Sequence, residues 1–164
     1  MSIKDFKEGE YVVYPAHGVG KLIGYEQHEI GGAKLELMVI SFEKEKMTLR
    51  LPESKAKNAG LRRLSTKDDM DEAFKVLSIR SKPKRTMWSR RAQEYETKIN
   101  SGSPISIAEV IRDLHRRGSD SEQSYSERQI YQAALQRLAR ELVAIERIEE
   151  QVAIEKIEDV LKVA

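Results

Sequence analysis

Residues 85–91 read RTMWSRR and hold the only tryptophan of the chain, Trp88, with Arg85, Arg90 and Arg91 within three positions of it. A guanidinium presents a fixed fork of donors to phosphate or carboxylate, and an indole is a flat apolar plate that can stack on bases or wedge between them. Two readings follow. On a helix beginning here, Trp88 is in phase with Ala92, Tyr95 and Ile99, a stripe that would carry it into a core. Trp88 would also lie in the first turn, where a ring can overhang the helix end, inside the most basic segment of the chain. The pattern alone leaves both open.

Other reactive side chains do not converge. His17, His28 and His115 have no ligand spacing with one another or with carboxylates, and there is no cysteine. Gly18-x-Gly20 lies between strand-like segments with no helix following, which is not a phosphate loop. No nucleophile elbow occurs. Glutamates recur four residues from Arg or Lys, as in Arg90–Glu94 and Glu94–Lys98, the spacing of ordinary helix-surface pairs. These observations argue against an enzyme, and no metal, nucleotide or prosthetic group is expected.

The charge is uneven. Residues 80–117 carry ten Lys/Arg against four acids, while residues 120–164 carry six against ten, although the whole chain of 164 residues is only +2. A basic segment followed by an acidic one suggests a face turned to a polyanion. No signal-peptide run or membrane-length apolar stretch is visible, so a cytoplasmic location is expected.

These residues must be positioned by two kinds of element. Up to about residue 64 the chain reads as five short strands: EYVVYP, GKLIGYEQHEI, KLELMVISF, KMTLRLP and LRRL. Gly31-Gly32 is a hairpin turn signal between the second and third. The third strand alternates at Leu35, Leu37 and Val39. In the fourth, Met47, Leu49 and Leu51 share one face, and Thr48 and Arg50 the other. Such a run predicts a small closed or nearly closed β-barrel. From Thr66 the period becomes helical. Met70, Ala73, Phe74 and Leu77 mark one helix, and a second is capped by Thr86 after the break at Pro83. A third starts at Ser103-Pro104 or at Ser106-x-x-Glu109 and runs to Arg116-Arg117-Gly118. A fourth follows the capping box Ser124-x-x-Glu127, with the seam Tyr131, Leu135, Leu138, Leu142, Ile145. A fifth carries Ile154, Ile157, Val160 and Leu161. The fold expected is α+β in two domains, residues 1–66 and 67–164.

Four motifs in this order, VVYPAHGVGKL, LRLP, MWSRR and AEVIRDLHRR, make the chain resemble the CarD/CdnL-type bacterial transcription regulators over nearly its whole length. The first half is also similar to the polymerase-interacting module of transcription-repair coupling factors. The resemblance implies a Tudor-like N-terminal barrel that binds the RNA polymerase β subunit, and a helical C-terminal domain that binds promoter DNA near the −10 element. It makes Trp88 a minor-groove wedge at the upstream fork of the bubble, with Arg90, Arg91 and Arg128 as basic DNA contacts. It places Arg50 at the polymerase interface, together with Met47, Thr48, Leu49, Pro52 and Val39. His28 and Gln93 stand where some relatives carry an arginine and a lysine. The implied function is a general transcription regulator that stabilises the open promoter complex. It would act as a monomer without sequence-specific readout, near the nucleoid through polymerase. The alternatives are a DNA-bending protein acting without polymerase, and a Tudor-like adaptor whose helical half binds protein.

Overall fold

A computed structural model describes residues 6–81, 86–115 and 124–163. The chain divides into two compact units, Met1–Leu64 and Ser65–Ala164.

The first unit is one antiparallel sheet. Its strands are β1 (Tyr11–Tyr14), β2 (Gly18–Ile30), β3 (Ala33–Phe42), β4 (Met47–Pro52) and β5 (Arg62–Arg63), in the order β4-β3-β2-β1-β5. Gly31 and Gly32, at φ 57° and 80°, turn β2 back onto β3 with Ile30 opposite Ala33. The ladder ends at β4 and β5 rather than closing on itself, so this is the open form of the expected barrel. One face of the sheet gathers Val12, Leu22, Met38, Ile40, Phe42 and Leu51 around Phe6 and Ala56. Ala56 belongs to α1 (Glu53–Asn58), a six-residue helix too short to announce itself by periodicity.

The parity of β3 differs from the alternation Leu35, Leu37, Val39. The core takes the other set, Met38, Ile40 and Phe42, because all four residues 37–40 are buried and both faces of the strand are apolar. A bulge supplies the matching change on β2: Leu22 faces Ile40 but Gly24 faces Val39, so Ile23 is an inserted residue that reverses which side chains point inward.

Among the described residues the second unit has five helices: α2 (Lys67–Leu77), α3 (Trp88–Asn100), α4 (Pro104–Leu114), α5 (Tyr125–Glu146) and α6 (Glu150–Val163). Three start on hydroxyl caps: Thr66 Oγ1 accepts from Asp69 N, Ser103 Oγ from Ser106 N and Ser124 Oγ from Glu127 N. Ser103-Pro104 is thus the true start of α4, and Ser106 lies inside it. Thr86 does not cap α3; Met87 occupies that position and provides no side-chain cap. The C-terminal run Arg116-Arg117-Gly118 and the break at Pro83 lie outside the described residues. The core joins Met70, Ala73 and Leu77 to Tyr95, Ile107, Ile111, Leu135, Leu138, Leu142, Ile157 and Leu161, so the periodic stripes all face one interior. Glu141 is buried there at 3 % exposure, and its carboxylate accepts from the Ser65 backbone N–H at 2.7 Å. No helix among the described residues is long and apolar enough to cross a membrane.

Two outcomes test these packings. A Cβ on Gly20 would stand 2.7 Å from Ile40 Cγ2 and 2.8 Å from Phe42 Cε1. Gly20→Ala should therefore destabilise the sheet unit by about 1–3 kcal/mol, read by chemical denaturation. In the helical unit, burial, with Glu158 adding to it, pushes the Tyr131 phenol up to about 12. Its contribution to stability is full below the ordinary tyrosine value of about 10 and is lost as pH rises through the native value. Tyr131→Phe should remove a late step from the alkaline absorbance titration and flatten the loss of stability across that window.

Candidate functional site

The two units carry separate candidate surfaces. On the sheet unit the surface centres on β4. This six-residue strand pairs with β3 along one edge and is the last strand of the sheet on the other. Arg50 stands mid-strand and exposed, opposite Val39. Its Nε donates to Glu26 Oε2 at 3.1 Å, and His28 Nε2 lies 2.9 Å from the same oxygen. Glu26 and His28 are on β2, on the same outer face as Arg50, with β3 between. The hydrogen bonds from His28 and then Arg50 hold the Glu26 carboxyl below its ordinary range, so the tether on Arg50 persists at neutral pH and is lost only in acid.

The other residues assigned to this surface divide between the two faces. Thr48 is exposed beside Arg50, and Pro52 is partly exposed at the strand end. Met47 and Leu49 point to the opposite side and pack against the sheet core. Val39 is on the outer face beside Arg50 but only 4 % exposed. Thr48, Arg50 and Pro52 thus share the outer face above buried Val39, as the alternation of β4 predicts for Thr48 and Arg50.

On the helical unit the surface lies where α3 and α5 begin. Trp88 is the first residue of α3 and is partly buried. It packs on the edge of the helical core, its ring tilted 50° to Tyr95 with centroids 6.3 Å apart. The Arg91 guanidinium carbon lies 5.3 Å from the ring centroid, a cation–π distance. Trp88 Nε1 donates to Ser126 Oγ of α5 at 3.2 Å. The stripe of Trp88 therefore faces the core while part of its ring stays exposed.

Arg90 and Arg128 are exposed in the first turns of α3 and α5, and Arg91 is partly covered through its contact with Trp88. Arg85, Arg116 and Arg117 lie outside the described residues. Of Arg90, Arg91 and Arg128, it is Arg91 that is in contact with Trp88. Gln93 is exposed on α3. Helix α3 opens with no side-chain cap and no acid in its first turn, which leaves a positive helix end beside the arginines. Tyr95 is buried beneath, its phenol pushed up by burial and then by the Asp113 carboxylate, with Arg91 opposing.

Two residues of this surface escaped the sequence reading. Met87 is 77 % exposed and Tyr125 is 78 % exposed, one immediately before Trp88 and the other immediately before Ser126. The signal for Tyr125 was its phase: it stands off the buried seam that begins at Ile130 and Tyr131. Met87 gave none, because a cap position has no helical phase.

The comparisons with known proteins cover both units. Residues 6–65 match the CarD-like/TRCF RID domain, and residues 72–158 match the CarD C-terminal domain. The chain belongs to the CarD family of transcription regulators. It is similar to YdeB of Bacillus subtilis (strain 168), named as a candidate transcription factor, with 28 % identity over 145 residues, 88 % of this chain and 95 % of YdeB. The first domain match suggests interaction with RNA polymerase.

The half-burial of Trp88 sets an intermediate cost for its removal. Trp88→Ala should destabilise the helical unit by about 1–3 kcal/mol, less than the ~3–5 kcal/mol of a fully buried tryptophan and more than a surface change. Thermal and denaturant unfolding of the variant measure it.

Proposed function

We propose that this chain is a non-enzymatic general transcription regulator that stabilises the open promoter complex. Its sheet unit docks on the RNA polymerase β subunit through the outer edge of β4, adding to a partner sheet by backbone pairing while Arg50 selects the partner. Its helical unit lies on promoter DNA near the −10 element. There Arg90, Arg91 and Arg128 hold phosphates, and Trp88 wedges into the minor groove at the upstream edge of the bubble.

The observation that carries this reading is the placement of the single tryptophan. It stands partly buried at the start of a helix that lacks a side-chain cap, with Arg91 over its ring and Arg90 and Arg128 exposed in the first turns of α3 and α5. A net charge of +2 gives little attraction to DNA without help, so docking on polymerase supplies the remaining affinity through effective concentration. The polymerase has already chosen the promoter, and no base readout is required. A base–aromatic contact made only in the open state is worth ~1–3 kcal/mol, roughly a 5- to 150-fold bias toward it.

The experiment is an open-complex lifetime measured with purified polymerase on one promoter, with and without the protein. Wild type should lengthen the lifetime. Arg50→Glu should lose polymerase capture and that effect together while keeping its melting temperature. Trp88→Ala should keep capture and lose the effect. Capture that is unchanged in Arg50→Glu removes Arg50 from the interface. Full lengthening by Trp88→Ala defeats the wedge.

A further inference from the structure

Besides its packing on the core, the Trp88 ring makes three specific contacts among the described residues, and they restrain it unequally. Arg91 lies over a ring face and Tyr95 lies tilted beside it. Both contacts are broad. A ring turned end for end about its side-chain axis would keep much of each, since a cation–π attraction and an aromatic pair depend on faces and centroids more than on which edge points outward. The hydrogen bond is different. An indole has a single polar hydrogen, and here it is given to Ser126 Oγ at 3.2 Å. Turning the ring over breaks that bond. Of the three contacts, only this one distinguishes the two edges of the indole.

Ser126 is well placed to act as a fixed post. It lies two residues after the α5 cap, Ser124, whose hydroxyl accepts from Glu127 N and sets the start of the helix. The α5 end is further anchored by buried Ile130 and Tyr131 one turn on. The acceptor therefore belongs to a helix whose first turn is pinned from both directions.

We propose that Ser126 is the positioning residue that fixes which edge of the Trp88 indole faces outward, and so presets the ring for insertion into DNA. This rests on the reading of Trp88 as the wedge. Without the bond, the ring samples both orientations before it meets DNA, and the ordering cost is moved into the binding step. Ser126 is exposed, so water competes for the same donor and the effect is modest.

Trp88 is the only tryptophan, so its fluorescence reports the ring directly in the full chain. Ser126→Ala should speed the local anisotropy decay of the indole and increase its quenching by acrylamide, with little change in melting temperature. It should also shorten the open-complex lifetime roughly two- to tenfold relative to wild type. Ser126→Thr, which keeps the acceptor, should restore both readings. Trp88→Ala is the reference. If it leaves the lifetime unchanged, the wedge reading fails and the role of Ser126 falls with it. If Trp88→Ala shortens the lifetime while Ser126→Ala alters neither fluorescence nor lifetime, the wedge stands and the positioning role is overturned. A change in only one of the two readings in Ser126→Ala also overturns it, because positioning links them. A longer lifetime in Ser126→Ala would mean that the bond parks the ring and does not present it.

Discussion

The sheet unit depends on β3 being buried on both faces. Met38, Ile40 and Phe42 make one side of the strand part of the core. Leu37 and Val39, on the other side, are covered as well. A strand packed on both sides cannot slip by one residue without exposing apolar surface, so its register with both neighbours is fixed. That register sets Glu26 of β2 and Arg50 of β4 on the same outer face, close enough for a 3.1 Å hydrogen bond across the strand between them. The surface pair is a weak interaction in itself. Its geometry is inherited from the packing beneath, and the bulge at Ile23 is what brings the polar residues of β2 to that side.

The helical unit solves a different problem, how to hold a large aromatic ring at a surface without losing it to the interior. The stripe Trp88, Ala92, Tyr95, Ile99 passes from a partly buried ring to full burial along α3. The far end of the helix fills the core and the near end rests on its rim. The lack of a capping side chain at Met87 is consistent with that placement, since a helix end left with unsatisfied N–H groups is a place where an anion can approach.

Much of this was legible in the sequence. The strand run, the switch of period at Thr66, the Ser124 cap and the seam of α5 are local signals, and local signals survive folding. Where reading failed, the cause was competition between neighbours. Residues 37–40 are all apolar, so alternation could not say which pair faces the core. Thr86 is a good capping residue by type, yet the helix starts one residue later than that cap requires. Trp88 was framed as either buried or overhanging, whereas a side chain on the first turn of a helix can be partly covered. The Trp88–Ser126 bond joins residues 38 apart, and no spacing rule reaches that far.

The open edge of β4 has a consequence for solubility. Unpaired strand edges recruit other strands without regard to identity, and a second copy of the same chain is always the most abundant candidate. This edge is guarded. It is six residues long, begins after Lys46 in a left-handed conformation at φ 51°, carries the charge of Arg50 in its middle and ends at Pro52, which has no N–H to offer. An arriving strand must be short, must accommodate a guanidinium and must tolerate a missing donor at one end. Most aggregating segments are long, flat and uncharged and fail all three conditions. Its shortness, its central charge and its terminal proline thus keep the edge from indiscriminate pairing.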